Sequence, residues 1–345
     1  MRTRSGLLRR ARAGTDGRSS VKVVIVGAGM AGLVAAHELV AAGVDVVVVD
    51  KGRSVGGRLA TRRIGDARLD HGAQFFTVRT PAFQRRVDDW LDRGLLDVWN
   101  HGFDPDATDG HPRFVATGGM NSLAKDLATG LDGTSCTIET STMAFTVRRT
   151  STPSDDPAPP WEVVIDDATV RAGDAVILTC PLPQSLALLV DSDVEMDSTL
   201  MRTEYDRTIC LLATLDGPAA LPSTGAVQGG DEVFGFIGDN RSKGVSPVDA
   251  ITFHADPEWS EAHWDDDAED LLELLVHEAR RWLGDASIVE SQVKKWRLAA
   301  PRSIWPDPCW TSADGTIVMA GDAFAGPKVE GAHNSGLAAA HALLS

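Results

Sequence analysis

The chain has 345 residues, of which 43% are hydrophobic and 24% are charged; this is an ordinary globular composition in a chain long enough for two domains. The formal net charge of −16 argues against nucleic acid or an anionic membrane as the main partner. No apolar run reaches transmembrane length, and four scattered cysteines without a CxxC pair favour a cytoplasmic location and argue against a metal site.

Residues 1–20 are rich in arginine and poor in apolar residues. The pair Arg9-Arg10 lies where a twin-arginine signal would begin, but no hydrophobic region follows it. We therefore predict a disordered leader.

A β-α-β unit follows directly. Val21–Val26 is rich in β-branched residues and predicts a buried strand. Apolar residues at helical spacing predict a helix over Met30–Ala42, which Gly43 ends. Val44–Val49 predicts a second buried strand parallel to the first.

The turn between the first strand and the helix carries the sequence GAGMAG at 27–32. In this position the glycines allow a tight turn, the approach of a pyrophosphate and close helix packing, while the helix N-terminus attracts the anion. Asp50 ends the second strand, where a carboxylate can accept hydrogen bonds from ribose hydroxyls. The unit therefore predicts dinucleotide binding.

Further motifs favour FAD over NAD. Gly56-Gly57-Arg58 adds a second glycine turn along the pyrophosphate, and the small-residue turn at 70–77 (DHGAQFFT) allows backbone to approach a flat ring. Near the C-terminus, Gly321-Asp322 follows a buried strand, and Asp322 is placed to hold a ribityl hydroxyl. The last helix begins near Glu330, and its positive end suits the charge of a reduced flavin.

The rest of the chain predicts alternating helices and strands. The predicted helices are 81–93, 122–128, 267–283 and 331–344, and the predicted strands are 136–147, 161–165, 174–180, 208–215, 232–237, 250–254 and 316–320.

Taken together, these motifs resemble the FAD-binding amine-oxidase-like flavoproteins. Within that group, GGRLATRR at 56–63 and GAQFFT at 72–77 are similar to the renalase-like branch. The resemblance runs from Val21 to the C-terminus. It implies an α/β fold of two domains, a Rossmann-type FAD domain with an inserted mixed or antiparallel substrate domain. We expect the FAD domain at 21–80, 115–185 and 290–345, and the substrate domain at 81–114 and 186–289.

The resemblance also implies the activity. Renalase-like enzymes oxidise misreduced dihydronicotinamide isomers by hydride transfer to noncovalent FAD, and O2 is then reduced to H2O2. The alternatives are an amine oxidase or desaturase of the same group, and a flavin-binding protein without turnover. Because the single tyrosine, Tyr205, cannot form a two-tyrosine amine cage, a typical monoamine oxidase is disfavoured.

The predicted site residues follow from the motifs and the resemblance. The FAD-binding residues are Gly27, Ala28, Gly29, Met30, Ala31, Gly32, Asp50, Lys51, Gly57, Arg58, Gly72, Ala73, Gln74, Phe75, Gly321, Asp322, Glu330, Gly331 and Ala332. The catalytic candidates are His254, for which a structural histidine is the alternative, and Trp296, for which a core tryptophan is the alternative.

Three further side chains have alternatives that stay open. Lys295 resembles a lysine that some amine oxidases place near the flavin, or it is a solvated charge. Phe75 and Phe236 line a substrate slot or belong to the core. Covalent attachment of flavin to His71 is disfavoured. The expected partners are O2 and a small molecule, either a dihydronicotinamide dinucleotide or an amine.

Overall fold

A computed structural model describes residues 20–104, 109–150 and 160–345. The predicted leader lies outside the described residues, apart from Ser20. In the described part of the chain, no helix is both long and apolar enough to cross a membrane.

The secondary structure alternates helices and strands. The helices are α1 Met30–Ala41, α2 Pro81–Asp92, α3 Asn121–Thr129, α4 Leu182–Leu188, α5 Pro257–Ala262, α6 Ala268–Ala279, α7 Asp322–Ala325 and α8 Val329–Leu344. The strands are β1 Lys22–Val26, β2 Asp45–Val49, β3 Thr61–Ile64, β4 Ala67–Asp70, β5 Leu96–Asn100, β6 Arg113–Ala116, β7 Cys136–Glu139, β8 Ala144–Arg149, β9 Trp161–Ile165, β10 Val170–Gly173, β11 Ala175–Leu178, β12 Tyr205–Leu215, β13 Ala226–Gln228, β14 Phe234–Asp239, β15 Ala250–Ala255, β16 Ile288–Pro301, β17 Trp310–Thr311 and β18 Ile317–Met319.

The described chain divides into two compact units. The first comprises the described residues up to Gly57 together with Ala124–Glu204 and Ser303–Ser345, and the second comprises Arg58–Leu123 and Tyr205–Arg302.

The first unit is built on a six-stranded sheet in the order β17-β18-β11-β1-β2-β7. Its strands are parallel except for β17, which pairs antiparallel with β18. The central strands are almost fully buried, as their runs of Val and Ile require for a sheet covered on both faces. Helices α1 and α8 pack against each other, and a three-stranded antiparallel sheet, β10-β9-β8, adjoins β1.

The second unit is built on a five-stranded antiparallel sheet in the order β13-β14-β15-β12-β16. One face of this sheet packs on α6, where residues such as Leu211, Phe253 and Leu275 form a continuous core. The hairpin β3–β4 packs through Ile64 and Leu69 near Leu212. The predicted fold class, a parallel Rossmann-like sheet with a separate antiparallel sheet, is confirmed.

The bounds of the two units differ from the predicted domain bounds. Residues 58–80, 115–123 and 290–302 lie in the second unit, whereas the sequence placed them in the FAD domain. Residues 186–204 lie in the first unit, whereas the sequence placed them in the substrate domain. The reason is pairing: β3–β4 packs on the antiparallel sheet, and β16 is a long strand that pairs with β12 up to Pro301.

Most predicted elements are present with ends shifted by a few residues, but two predictions were wrong. The single strand predicted over 136–147 is two strands, because the chain turns at Ser141, which has a φ of 54°. The helix predicted to Leu283 ends at Ala279 and continues as a 3₁₀ turn, Arg280–Trp282. The elements that were not predicted are the hairpins β3–β4 and β5–β6, the strands β10, β13, β16 and β17, and the helices α4, α5 and α7.

Candidate functional site

The loop between β1 and α1 in the first unit holds the GAGMAG sequence. A side chain at Gly32 would collide with the carbonyl oxygen of Gly27, so this turn closes only with glycine at that position. A Cβ at Gly29, in contrast, would meet no atom within 4 Å. The loop is therefore closed on its protein side and open at Gly29.

The open position coincides with the start of α1. Gly29 is the N-cap residue, and no side chain caps the helix there. The first N–H groups of a helix have no intrahelical partner, and the helix dipole is positive at this end. Groups of this kind can donate hydrogen bonds to a phosphate or diphosphate.

Asp50 lies beside this loop at the end of β2. Its Oδ2 accepts a hydrogen bond from the Ala28 N–H at 2.6 Å, and its Oδ1 accepts one from the Gly52 N–H at 2.6 Å. An ionised carboxylate has about four acceptor positions, so capacity for ribose hydroxyls is left. The neighbouring Lys51 is exposed.

Thr179, at the end of β11, was not predicted to be part of the site. Its Oγ1 lies 3.0 Å from the carbonyl oxygens of both Val26 and Gly27, to which it donates. Its own carbonyl oxygen would lie 3.5 Å from a Cβ at Gly321. Thr179 thus joins the GAGMAG loop to the Gly321-Asp322 turn. The available signal was its position at the carboxyl end of a buried strand.

The start of α8 belongs to the same unit. Glu330, Gly331 and Ala332 lie in its first turn, which has no side-chain cap. A side chain at Gly336 would collide with the carbonyl oxygen of Ala31, so glycine at this position lets α8 pack closely on the start of α1. Sequence reasoning missed Gly336.

In the second unit, the predicted small-residue turn after β4 is fixed by hydrogen bonds to backbone carbonyl oxygens. The Asp70 carbonyl oxygen accepts hydrogen bonds from Gln74 Nε2 at 2.6 Å and from Thr252 Oγ1 at 2.9 Å. The Ala73 N–H donates to the Arg58 carbonyl oxygen at 2.8 Å. The backbone of this turn is therefore fixed by its own unit.

A charged pair is buried beneath the turn. The side chains of Asp70 and Lys243 are both 0% exposed, and Lys243 Nζ lies 3.7 Å from Asp70 Oδ2. Asp70 Oδ1 accepts hydrogen bonds from Thr61 Oγ1 at 2.6 Å and from the Met120 N–H at 2.9 Å. Burial raises the pKa of Asp70 and lowers that of Lys243, and the attraction between them opposes both shifts.

His71 and Trp296 are stacked, with ring centroids 5.2 Å apart. Trp296 Nε1 donates a hydrogen bond to the His71 carbonyl oxygen at 2.7 Å. Its contact with this turn agrees with the catalytic hypothesis, and its half-buried side chain agrees with the alternative of a core tryptophan. The buried Nδ1 of His71 has no hydrogen-bond partner among the described residues. Burial, followed by the charges of Lys294 and Arg62, lowers the pKa of His71 to about 4.

His254 is half-buried on β15, opposite Cys210 of β12. Its Nε2 lies 3.2 Å from Gln74 Nε2. Burial lowers the pKa of His254 to about 3, the charge of Lys243 contributes in the same direction, and a hydrogen bond with the His71 backbone acts in the opposite direction. Both histidines are neutral at pH 7.

Aromatic rings lie next to these histidines. Phe75 is in contact with Phe103 and Phe236, with ring centroids 4.9 and 5.9 Å apart. Phe236 in turn lies 6.2 Å from the His254 ring. The structure therefore brings Gln74, Phe75, His254 and Trp296 of the predicted set together in the second unit.

Lys295 does not belong to this group. Its Nζ donates to the carbonyl oxygen of Trp264 at 2.6 Å. In the strand register Lys295 pairs with Ile209, a residue of the core against α6, whereas Lys294 pairs with Cys210 and acts on the pKa of His71. The lysine on the face of Trp296 is Lys294, because side chains alternate along a strand.

Two family models match the chain. Residues 25–93 match the NAD(P)-binding Rossmann-like domain. Residues 105–344, more than half of the chain, match the flavin containing amine oxidoreductase family. The chain belongs to the flavin containing amine oxidoreductases. Flavin is the cofactor that the description of this family names.

Curated relatives of this family match over short segments. A flavin-dependent L-tryptophan oxidase of Lentzea aerocolonigenes is 36% identical over 74 residues, which cover 21% of this chain and 16% of the relative. Polyamine oxidase 1 of Oryza sativa subsp. japonica is 49% identical over 55 residues, which cover 15% and 11%. The chain thus spans less than a fifth of the length of these relatives.

Solved structures match over nearly the whole chain. A protein from Exiguobacterium, provisionally assigned as a protoporphyrinogen oxidase, has a TM-score of 0.70 and 13% identity, and the match covers 95% of this chain and 99% of that one. A putrescine oxidase bound to putrescine has a TM-score of 0.69 and 16% identity, with 93% and 98% covered. These likenesses establish the common fold of the flavin amine oxidoreductases.

The first unit fits the FAD that the family implies. The open space at Gly29 and the uncapped start of α1 suit the pyrophosphate, and Asp50 suits the adenosine ribose. All of the predicted FAD contacts, those of Gly29 and Asp50 included, stay predictions.

We expect Asp50→Ala to weaken FAD binding by about 1.5–3 kcal/mol, because a charged acceptor of hydroxyl hydrogen bonds is lost. Asp50 also holds the N–H groups of Ala28 and Gly52, so Asp50→Asn should have a smaller effect. FAD titration of the apoprotein, followed by flavin fluorescence, measures both. Asp45→Ala is the control, because Asp45 lies at the other end of β2. Equal affinities of all three variants would contradict the ribose assignment.

The neutral histidines predict acid sensitivity. The folded protein keeps His71 and His254 unprotonated down to pH values near 4 and 3, whereas the unfolded chain protonates them as the pH falls through about 6.5. Their contribution to stability is complete above pH 6.5 and is lost as the pH falls toward the folded pKa values. Each histidine should lower the free energy of unfolding by up to about 1.4 kcal/mol per pH unit in that window.

Urea unfolding between pH 7 and pH 5 measures this slope. His71→Gln and His254→Gln should each flatten it, and the exposed His101→Gln is the control. If neither His71→Gln nor His254→Gln changes the slope, these two histidines are not the source of the acid sensitivity.

Proposed function

We propose that the chain is an FAD-dependent oxidase that removes a hydride from a carbon bonded to nitrogen. The observation that carries the proposal is the open position at Gly29 above the uncapped start of α1, in a chain of the flavin amine oxidoreductase family. Noncovalent FAD would accept the two electrons and deliver them to O2, which yields H2O2. The protein would bind and orient the substrate and exclude water.

An amine is the first substrate class. It is supported by the relatives, which include a putrescine oxidase, a polyamine oxidase and an L-tryptophan oxidase. In the second unit, His71 and His254 have lowered pKa values and are poor proton acceptors at pH 7. An amine would therefore need to arrive in its neutral form, which favours activity that increases with pH.

A misreduced dihydronicotinamide, 2- or 6-dihydro-NAD(P), is the second class. It is favoured by the positive charge near the two histidines, where Lys243, Lys294 and Arg62 lower their pKa values. Positive charge suits an anionic dinucleotide better than a cationic amine. A dihydropyridine becomes aromatic when it loses hydride, so no base is required.

Anaerobic mixing of the FAD-bound protein with a panel of donors tests the proposal. The panel contains putrescine, L-tryptophan, other primary and secondary amines, 2- and 6-dihydro-NAD(P) and ordinary 4-dihydro-NAD(P)H, and the flavin absorbance is followed. Rapid bleaching by amines supports the first class, and bleaching by the isomers with NAD(P)+ as product supports the second. If no donor bleaches a flavin that dithionite does reduce, the oxidase proposal fails and a non-catalytic flavin protein takes its place.

A further inference from the structure

Lys243 contacts the turn that carries His71 from a distant part of the chain. It follows β14, its side chain is fully buried, and its Nζ donates a hydrogen bond to Gln74 Oε1 at 2.7 Å. The Trp99 ring lies 5.4 Å from the same ammonium group. A buried lysine is costly, so its contacts point to a role in addition to packing.

The contacts of Gln74 fix which way its side-chain amide faces. Nε2 lies 2.6 Å from the Asp70 carbonyl oxygen and 3.2 Å from that of Gly72, and both of these atoms only accept. A flipped amide would place Oε1 against these two oxygens and its NH2 group against the Lys243 ammonium. The amide therefore has one favourable orientation, with NH2 directed at the turn.

This orientation determines what His254 can do. Its Nε2 lies 3.2 Å from Gln74 Nε2, and an amide NH2 group donates and does not accept. The two hydrogens of this NH2 group have three neighbours within 3.2 Å of Nε2, namely the carbonyl oxygens of Asp70 and Gly72 and the Nε2 of His254. A proton on His254 Nε2 would point at that NH2 group, so Nε2 has to present its lone pair.

We propose that Lys243 is a positioning residue: by fixing the side-chain amide of Gln74, it holds His254 as a neutral imidazole that carries its proton on Nδ1. The positive charge of Lys243 also favours the neutral form of His254, because a cation disfavours the formation of a second cation nearby.

The charged and titratable groups around His254 agree with this assignment. Lys243 approaches from the segment after β14, His71 from the turn after β4, and Lys294 lies on β16 opposite Cys210, which also pairs with His254. The nearby carboxylate of Asp70 lies against Lys243, while Asp239, at the end of β14, also acts on Lys243. Burial first and Lys243 second lower the pKa of His254 to about 3.

For the reaction, the inference rests on the proposed function. A neutral His254 with its proton on Nδ1 offers a substrate no strong base and no positive charge. In an oxidase that accepts hydride, His254 would then orient the side chains around it and would not exchange a proton with the substrate. The pH of the solvent would set the protonation state of the substrate.

NMR of the FAD-bound protein labelled with 15N-histidine tests the proposal, because imidazole 15N shifts distinguish the two neutral tautomers and the cation. The signal of His254 is identified by its loss in His254→Gln, and the exposed His101 serves as the internal reference. We expect the Nδ1–H tautomer throughout pH 5–8. A His254 signal that titrates near pH 6.5, or that shows the Nε2–H tautomer, would overturn the proposal.

Two variants separate the hydrogen bond of Lys243 from its charge. Lys243→Gln keeps a donor for Gln74 Oε1 without the charge, so the tautomer should persist and the midpoint of the His254 titration should move upward. Lys243→Met removes both the donor and the charge. The titration midpoint should again move upward, and the 15N shifts of His254 should also move toward the average of the two neutral tautomers. A folded Lys243→Met protein with an unchanged His254 signal contradicts the proposal.

If Lys243→Met does not fold, the wild-type tautomer and Lys243→Gln decide the question. These spectra are independent of substrate: a correct tautomer in a protein that oxidises no donor leaves the network in place and contradicts only the proposed function.

Discussion

A Gly29→Val variant should fold normally and fail to hold FAD. A Cβ at this position would meet no protein atom within 4 Å, so the apoprotein has room for the side chain. The same space is where a pyrophosphate would approach the start of α1. We expect the affinity for FAD to fall by at least about 100-fold, which corresponds to about 2.8 kcal/mol.

The controls for this variant follow from the same loop. Gly32→Ala should destabilise the unit itself, since its side chain would collide with the Gly27 carbonyl. Gly217→Ala, in the second unit, should change neither property, because its Cβ would make an ordinary contact with Ala286 at 3.9 Å. Circular dichroism and FAD titration together separate the three cases. A Gly29→Val protein that binds FAD like the wild type would place the pyrophosphate elsewhere.

Lys243→Met should be strongly destabilising. It leaves the Asp70 carboxylate fully buried beside no cation, and removal of one partner of a buried pair costs about 3–5 kcal/mol. The double variant Asp70→Asn, Lys243→Met should recover much of this loss, because Asn keeps an oxygen for Thr61 and for the Met120 N–H. Urea unfolding with FAD in fixed excess measures the free energies.

Lys295→Met is the matched control for that comparison. Lys295 is exposed; its Nζ donates to the Trp264 carbonyl oxygen and lies 5.6 Å from the Trp264 ring, so its replacement should cost only about 1 kcal/mol. Similar losses for the two lysine variants, or a double variant no more stable than Lys243→Met, would show that the buried pair contributes little.

The conformation of the GAGMAG loop could be predicted because its constraints are local. GAGMAG, the flanking Val-rich strands and Asp50 lie within one β-α-β unit. The contacts that explain these residues are made within that unit, such as the hydrogen bond between Asp50 and Ala28. The β-α-β unit followed from the same periodicities, whereas the two-domain fold class was implied by the resemblance. Thr179 and Gly336 were missed because their contacts are distant in sequence. Thr179 contacts Gly27, which is 152 residues away, and Gly336 of α8 packs on Ala31 of α1.

The second unit was harder to predict for the same reason. Lys243 and Gln74 are 169 residues apart, and a lysine in a polar stretch is ordinarily a solvated charge. The strand β16 carries Lys294, Lys295 and Arg297 and is half-buried along most of its length, so it has no clear apolar alternation. Alternation along the strand places Lys294 on the face of Trp296, and pairing with β12 shows which face of β16 meets the core against α6.

The close contact between α8 and α1 also bears on how the protein is made. The GAGMAG loop is synthesised early, but β18 joins the parallel sheet only after residue 319, and Gly336 packs on Ala31 later still. On the ribosome, the nascent chain would expose the edge of β11 that β18 later pairs with and the face of α1 that α8 later covers. We therefore expect FAD capture to wait until α8 has emerged from the ribosome, with chaperones protecting the earlier segment until then.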